Sequence, residues 1–122
     1  MFELTIKGTV YPFSFGVGFM REIDKTATAT ENGITKNIGF NLLVASLHDH
    51  NAVDLIDALD IANKMAGNPR VSRAKLDAYI DDECTDIAAL CEEILGFFEN
   101  GNATKERALA VREIIEQAKA QK

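Results

Sequence analysis

Tryptophan is absent from these 122 residues, and proline, cysteine and tyrosine occur only twice each. Two cysteines cannot staple a disulfide-based scaffold. Without tryptophan, the acidic residues have no aromatic-lined carbohydrate cleft in which to work as a glycosidase pair. Bases are scarce beside acids, thirteen against nineteen, a net charge of −6. That balance argues against nucleic-acid binding, which needs clustered Lys and Arg to neutralise phosphate, and against a polybasic membrane-surface protein. Long apolar runs are missing too. The densest, Leu42-Leu43-Val44-Ala45 with Leu47 beyond, falls far short of the ~20 residues that span a bilayer. Met1-Phe2-Glu3-Leu4-Thr5 has no basic n-region and leads into no apolar h-region, so a cytoplasmic chain with reduced cysteines is expected.

What is present is an ordinary soluble composition, 47% apolar and 26% charged, at a length that one core fills. A single domain over 1–122 is expected. Charge is uneven along it. Residues 1–48 hold four acids and four bases, residues 49–99 twelve acids and four bases, and residues 100–122 three acids and five bases. The acidic middle is either a solvated face, or covered by the basic tail of the same chain, or turned to a basic partner.

Phe2, Leu4 and Ile6 alternate with polar residues, Gly8-Thr9 offers a turn, and Tyr11, Phe13 and Phe15 alternate again. This predicts a β-hairpin over 2–15 with one aromatic face, which needs a cover. Pro12 restricts its strand to an edge or a bulge. Residues 16–24 read as a short helix presenting Phe19, Met20 and Ile23. The Thr-rich run 25–37, with Asn32-Gly33 in its middle, is either a second small hairpin or a mobile loop. Ile38 to Leu47 is apolar on all sides and predicts a central buried helix. Asn51 caps the next helix, whose stripe is Ala52, Leu55, Ile56, Leu59, Ala62 and Ala66 and which stops at Gly67-Asn68-Pro69. Ser72 starts a helix with Leu76, Tyr79 and Ile80 inward. Thr85 is the expected cap of the clearest stripe: Ile87, Leu90, Cys91, Ile94, Leu95 and Phe98, ended by Asn100-Gly101. The predicted fold class is α+β: a small N-terminal β-hairpin, a mainly α-helical body of about five helices over 16–99, and a C-terminal amphipathic helix over 102–120, regular from about Thr104.

Motifs of catalysis are lacking. Gly16-x-Gly18 has Arg21 at the third glycine position and no following parallel strand, so it reads as a close helix start rather than a dinucleotide site. His48 and His50 point to different sides of a helix. Cys84 and Cys91 would stand about 10.5 Å apart along one, too far for a disulfide or a shared metal. Asp81-Asp82-Glu83 and Asp86 lack calcium-loop spacing and are placed around the start of the following helix, where its dipole favours acids. No catalytic residue, cofactor or metal site is expected, and an enzyme is disfavoured. The tail helix offers Leu109, Val111, Ile114 and Ile115, which either complete the core or lie as an exchangeable helix against a partner.

Phe2-Glu3-Leu4-Thr5-Ile6-Lys7-Gly8 followed by Val10-Tyr11-Pro12-Phe13-Ser14-Phe15-Gly16-Val17-Gly18-Phe19-Met20-Arg21-Glu22-Ile23-Asp24 resembles the opening of the tail assembly chaperones of long-tailed, siphovirus-type bacteriophages. The resemblance is to the group found in phages and prophages of Gram-positive bacteria. It continues through Ile38–Leu47 and the helix after it, Pro69-Arg70-Val71-Ser72, Leu76-Asp77-Ala78-Tyr79-Ile80-Asp81-Asp82 and the acidic helix beyond, covering residues 2–99. Thr26 to Thr30 and the tail from Gly101 lie outside it. The resemblance implies a non-catalytic morphogenesis factor of the host cytoplasm, absent from the mature virion. It would bind the tape measure protein and keep it soluble while tube subunits polymerise. It also implies a longer, frameshifted form that recruits the tail-tube protein, of which this chain is the short version. Pairing of copies into a homo-oligomer at the open hairpin edge is compatible with it. The competing reading is a small acidic regulatory or anti-host protein that mimics DNA, a reading weakened by the confinement of the acids to one half of the chain.

Overall fold

The computed structural model describes residues 1–120. The elements run β1 (Phe2–Ile6), β2 (Thr9–Phe13), α1 (Val17–Asp24), β3 (Thr28–Glu31), β4 (Ile34–Asn37), α2 (Gly39–His48), α3 (Ala52–Ala66), α4 (Arg73–Ala78), α5 (Ile87–Asn100) and α6 (Lys105–Ala120). This is the α+β architecture expected, with two separate antiparallel hairpins and no larger sheet among the described residues. None of the helices is long and apolar enough to cross a membrane.

The first hairpin pairs Phe2 with Phe13, Leu4 with Tyr11 and Ile6 with Thr9. Its turn falls on Lys7 and Gly8, with φ of 49° and 83°, a type I′ turn one residue earlier than the Gly8-Thr9 turn expected. β2 also ends sooner, at Phe13, because the Ser14 N–H leaves the ladder and donates to the Ala62 carbonyl of α3 at 3.0 Å. Phe15 is therefore off the strand, yet it remains on the aromatic face. For the Thr-rich run the structure takes the hairpin alternative: Asn32 and Gly33 form a second I′ turn, with φ of 53° and 78°. All eight strand residues of β3–β4 are exposed, so that ribbon contributes nothing to the core.

The seven phenylalanines of the chain, spread from residue 2 to 98, join one continuous cluster of rings. Phe2 touches Phe13, Phe15 and Phe97, with centroid separations of 5.8, 5.8 and 5.3 Å. Phe15 meets Phe19 and Phe98 edge-on at 5.1 and 5.4 Å, and Phe98 reaches Phe40 at 5.1 Å. The cover that the hairpin requires is thus supplied by the rings of α1 and α5, with α3 packed along β2. Each such pair adds about 0.5–1.5 kcal/mol beyond simple burial.

α2 is buried through Phe40, Leu43, Val44 and Leu47, but Leu42 is 51% exposed. The expectation of burial on all sides fails along one face, where Leu42 is exposed and Ala45 and Ser46 are only partly buried. Gly39 explains how α2 enters so close to α1: a Cβ there would lie 1.8 Å from the Ile23 carbonyl oxygen. Asn51 and Ser72 cap α3 and α4 as expected, accepting from the N–H groups of Asp54 and Lys75 at 3.0 and 3.1 Å. α4 closes in a π-helical turn, Tyr79–Glu83, sealed by the Cys84 N–H on the Tyr79 carbonyl at 2.8 Å. Asp81, Asp82 and Glu83 therefore lie on that closing turn and not at the start of α5. The cap of α5 is Asp86 rather than Thr85, its carboxylate accepting from the Ala89 N–H at 2.9 Å. Cys84 precedes α5, so the two cysteines do not share a helix; both are free thiols.

A polar hub holds the middle of the chain. Asn63 is fully buried in α3. Its amide donates to the carbonyls of Pro12 and Pro69, both at 3.0 Å, and its oxygen accepts from the Val71 N–H at 2.8 Å and from Arg70. One side chain thereby ties β2, α3 and the 67–71 connection, with every polar atom satisfied.

Candidate functional site

Among the described residues three surfaces with exposed apolar side chains stand out, and the C-terminal helix bears on the first. α6 packs against α2 and α5. Ala108 and Val111 are buried beneath it and Ile115 is packed against the same core, while Leu109 and Ile114 point outward, 47% and 65% exposed. The four tail residues singled out from the sequence are thus divided between two faces. Val111 and Ile115 belong to the inner stripe with Ala108; only Leu109 and Ile114 are free to meet another molecule.

Charge fastens this helix. Arg107 donates to both carboxylate oxygens of Asp24 at 2.6 and 2.8 Å, reaches Asn41 of α2 at 3.0 Å, and lies 5.4 Å over the Phe40 ring. Asp24 also accepts from the Phe40 N–H at 3.1 Å, so it caps the start of α2 from the end of α1. Hydrogen bonding from Arg107 holds the Asp24 carboxyl below its usual range, opposed by partial burial and aided by the Phe40 N–H. Arg112 adds a contact to Glu99 of α5 at 2.7 Å.

The second surface is a groove of about 680 Å³ between α2, α3 and the α1–β3 connection. Gly39, Leu42, Leu43, Ala45, Ser46 and Asp49 line it from α2, a 3–4 residue spacing that turns one face of that helix into it along its whole length. Ile23 and Ile61 complete an apolar floor, and Asp49, Asp54 and Asp57 stand at its edge. Arg73 engages Asp57 and Asp60. Asp49 and Asp54 have no ion-pair partner among the described residues. The third surface is smaller, a hollow of about 390 Å³ at Glu93, Gly96, Phe97, Asn100 and Gly101.

The acidic middle of the chain is therefore only partly answered by its own bases. Arg112 of α6 takes Glu99, Arg70 and Arg73 take Asp57 and Asp60, and Asp49 and Asp54 at the groove edge stay without an ion-pair partner among the described residues. Arg70 and Arg73 thus neutralise two of the α3 carboxylates, Asp57 and Asp60, that a DNA-mimicking face would need free. Among the described residues no group of His, Cys, Asp or Glu is arranged to hold a metal ion. His50 lies 3.4 Å from Glu92, and a Cβ on Gly18 would meet Met65 of α3 at 3.3 Å, so Gly18 serves helix packing rather than a close start against the sheet. Sequence reasoning missed the groove, the Asp24–Arg107 pair and Asn63. Only Asn63 leaves a local signal: it falls on the Leu55, Leu59 row of α3, where an apolar residue is due.

The model of the phage tail assembly chaperone protein family, TAC, matches residues 3–113. No curated protein and no solved structure matches the chain. The family match runs through the β3–β4 region and into α6, past residue 99, where the sequence resemblance stops. The chain belongs to the phage tail assembly chaperone family.

Proposed function

We propose that this tail assembly chaperone binds the tape measure protein non-covalently and keeps it soluble while the tail tube assembles around it. A tape measure is a long helical chain whose apolar stripes aggregate when bare, and a small acidic protein with open apolar surface shields them without catalysis. The observation that carries the reading is the α2–α3 groove, with the large apolar Leu42 half exposed on its rim, on a chain of this family. The work is done in the host cytoplasm, the protein leaves before the virion is finished, and a longer frameshifted form recruits tail-tube protein.

Co-expression tests it. The cognate tape measure protein is expected in the pellet when made alone and in the supernatant, bound to this chain, when the two are made together. A tape measure that is equally soluble without this chain, or that fails to co-purify with it, overturns the proposal. Leu109→Asp with Ile114→Asp asks whether the outer face of α6 takes part: unchanged co-purification removes it from the binding surface, and loss of binding by a folded variant assigns it there.

A further inference from the structure

We infer that the α2–α3 groove receives an amphipathic helix of the partner that carries an apolar stripe flanked by Lys or Arg; the inference rests on the tape-measure reading above and locates and specifies its contact. Two features of the groove select that occupant. Its length along α2, Gly39 to Asp49, is ten steps of 1.5 Å, about 15 Å, which takes about three turns of a helix and so two or three apolar side chains of one stripe. Leu42 supplies the exposed apolar contact, over a floor of Ile23, Leu43 and Ile61.

Charge decides the flanks. Asp49 is the residue that caps the C-terminus of α2, the end whose carbonyl dipoles already repel an anion. It is exposed and has no ion-pair partner among the described residues. Asp54 faces the same opening from α3. A cation on the incoming helix is therefore favoured by the α2 dipole and by both carboxylates, Asp49 more than Asp54, whose charge the N-terminal dipole of α3 partly offsets. The one base of the rim, Arg73, is already held by Asp57 and Asp60 and does not offset this. The Phe97 hollow is smaller, about 390 Å³, and offers a single carboxylate, Glu93, and the outer face of α6 carries charges of both signs.

Photocrosslinking in the full chain, co-expressed with the tape measure protein, tests the site. A benzophenone amino acid at Leu42 is expected to capture the tape measure at least about fivefold more efficiently than one at Leu109. Mass spectrometry should place the adduct in a segment of helical apolar period with Lys or Arg beside the stripe. Leu42→Asp and Asp49→Lys, each keeping the wild-type circular dichroism and thermal midpoint, should weaken co-purification about tenfold, the second with a reduced dependence on salt. Capture at Leu109 but not Leu42, an acidic target segment, capture of a second copy of this chain at Leu42, or folded variants that bind normally would each overturn the inference while leaving the tape-measure reading in place. Absence of any co-purified tape measure, with no crosslink at either position, overturns that reading and the inference with it.

Discussion

Arg107 and Asp24 stand 83 positions apart in sequence, yet their two-pronged contact joins the C-terminal helix to the junction of α1 and α2. Because Asp24 also receives the Phe40 N–H, one carboxylate serves a helix start and an ion pair at once. Arg107→Ala is expected to destabilise the protein by about 2 kcal/mol in urea unfolding, the range for hydrogen bonds to charged groups. Asp24→Asn should cost a similar amount, and the double variant less than the sum. Strict additivity would show the contact to be energetically idle.

The same pair sets a dependence on acid. Asp24 has a depressed carboxyl pKa, chiefly through Arg107, so the folded state binds its proton less readily than the unfolded chain does. The stabilisation is complete above the unfolded value of about 4 and is lost as pH falls through the lower folded value. The difference in stability between wild type and Asp24→Asn should be flat from pH 7 to about 5 and shrink below 4. An undiminished difference at pH 3 would contradict this.

Gly39→Ala places a methyl carbon against the Ile23 carbonyl, where 1.8 Å is available. The backbone of α1 or α2 must move, and a loss of about 1–3 kcal/mol or more is expected by thermal or urea unfolding. Gly96→Ala is the control, since nothing lies within 4 Å of its would-be Cβ; inside α5 it should be neutral or stabilising, by up to about 1 kcal/mol.

Asn63→Leu conserves approximate volume while stranding the Val71 N–H and the Pro12 and Pro69 carbonyls. Each buried polar group left unpaired costs about 1–3 kcal/mol, and the variant is expected to unfold several kcal/mol more easily. Hydrogen exchange should show the Val71 amide losing protection first.

Cys91 is fully buried and its thiol is pushed up to about 11 by that burial, whereas Cys84 is only half-buried. Iodoacetamide at pH 8 should modify the folded protein at Cys84 at least about tenfold faster than at Cys91, and both in urea. Equal rates in the folded protein would mean that α5 opens locally.

The hairpin, α3 and α5 were legible because each has a face whose neighbours all lie inside the molecule, so hydrophobic period and burial coincide. Leu42 broke that correspondence. In the run Ile38–Leu47 the two polar residues, Asn41 and Ser46, are too few to mark an open side, although Ser46 lines the groove, which is visible only once α1 and α3 are in place. The tail residues failed to sort for a related reason: Ala108, Val111 and Ile115 define the inner stripe, and the small Ala108 carries less weight in a pattern than the outward Leu109 and Ile114. The caps at Asn51 and Ser72 are local chemistry and read correctly, while Thr85 and Asp86 are adjacent capping residues between which the chain's path decides. Arg107 and Asp24 left no local trace at all, since nothing short-range couples residues so far apart.

The ring cluster has a bearing on biosynthesis. Phe15 can meet Phe19 early, but the rings of Phe97 and Phe98 that close over Phe2 and Phe15 come last, and at about 5–20 residues per second the ribosome needs roughly 5–20 s to add that stretch. Through that interval the aromatic side of the first hairpin is only partly covered, and its full packing must await the fifth helix. This tail assembly chaperone thus itself passes through a vulnerable stage at birth, one that ends only when its late-made segments fold back on the first.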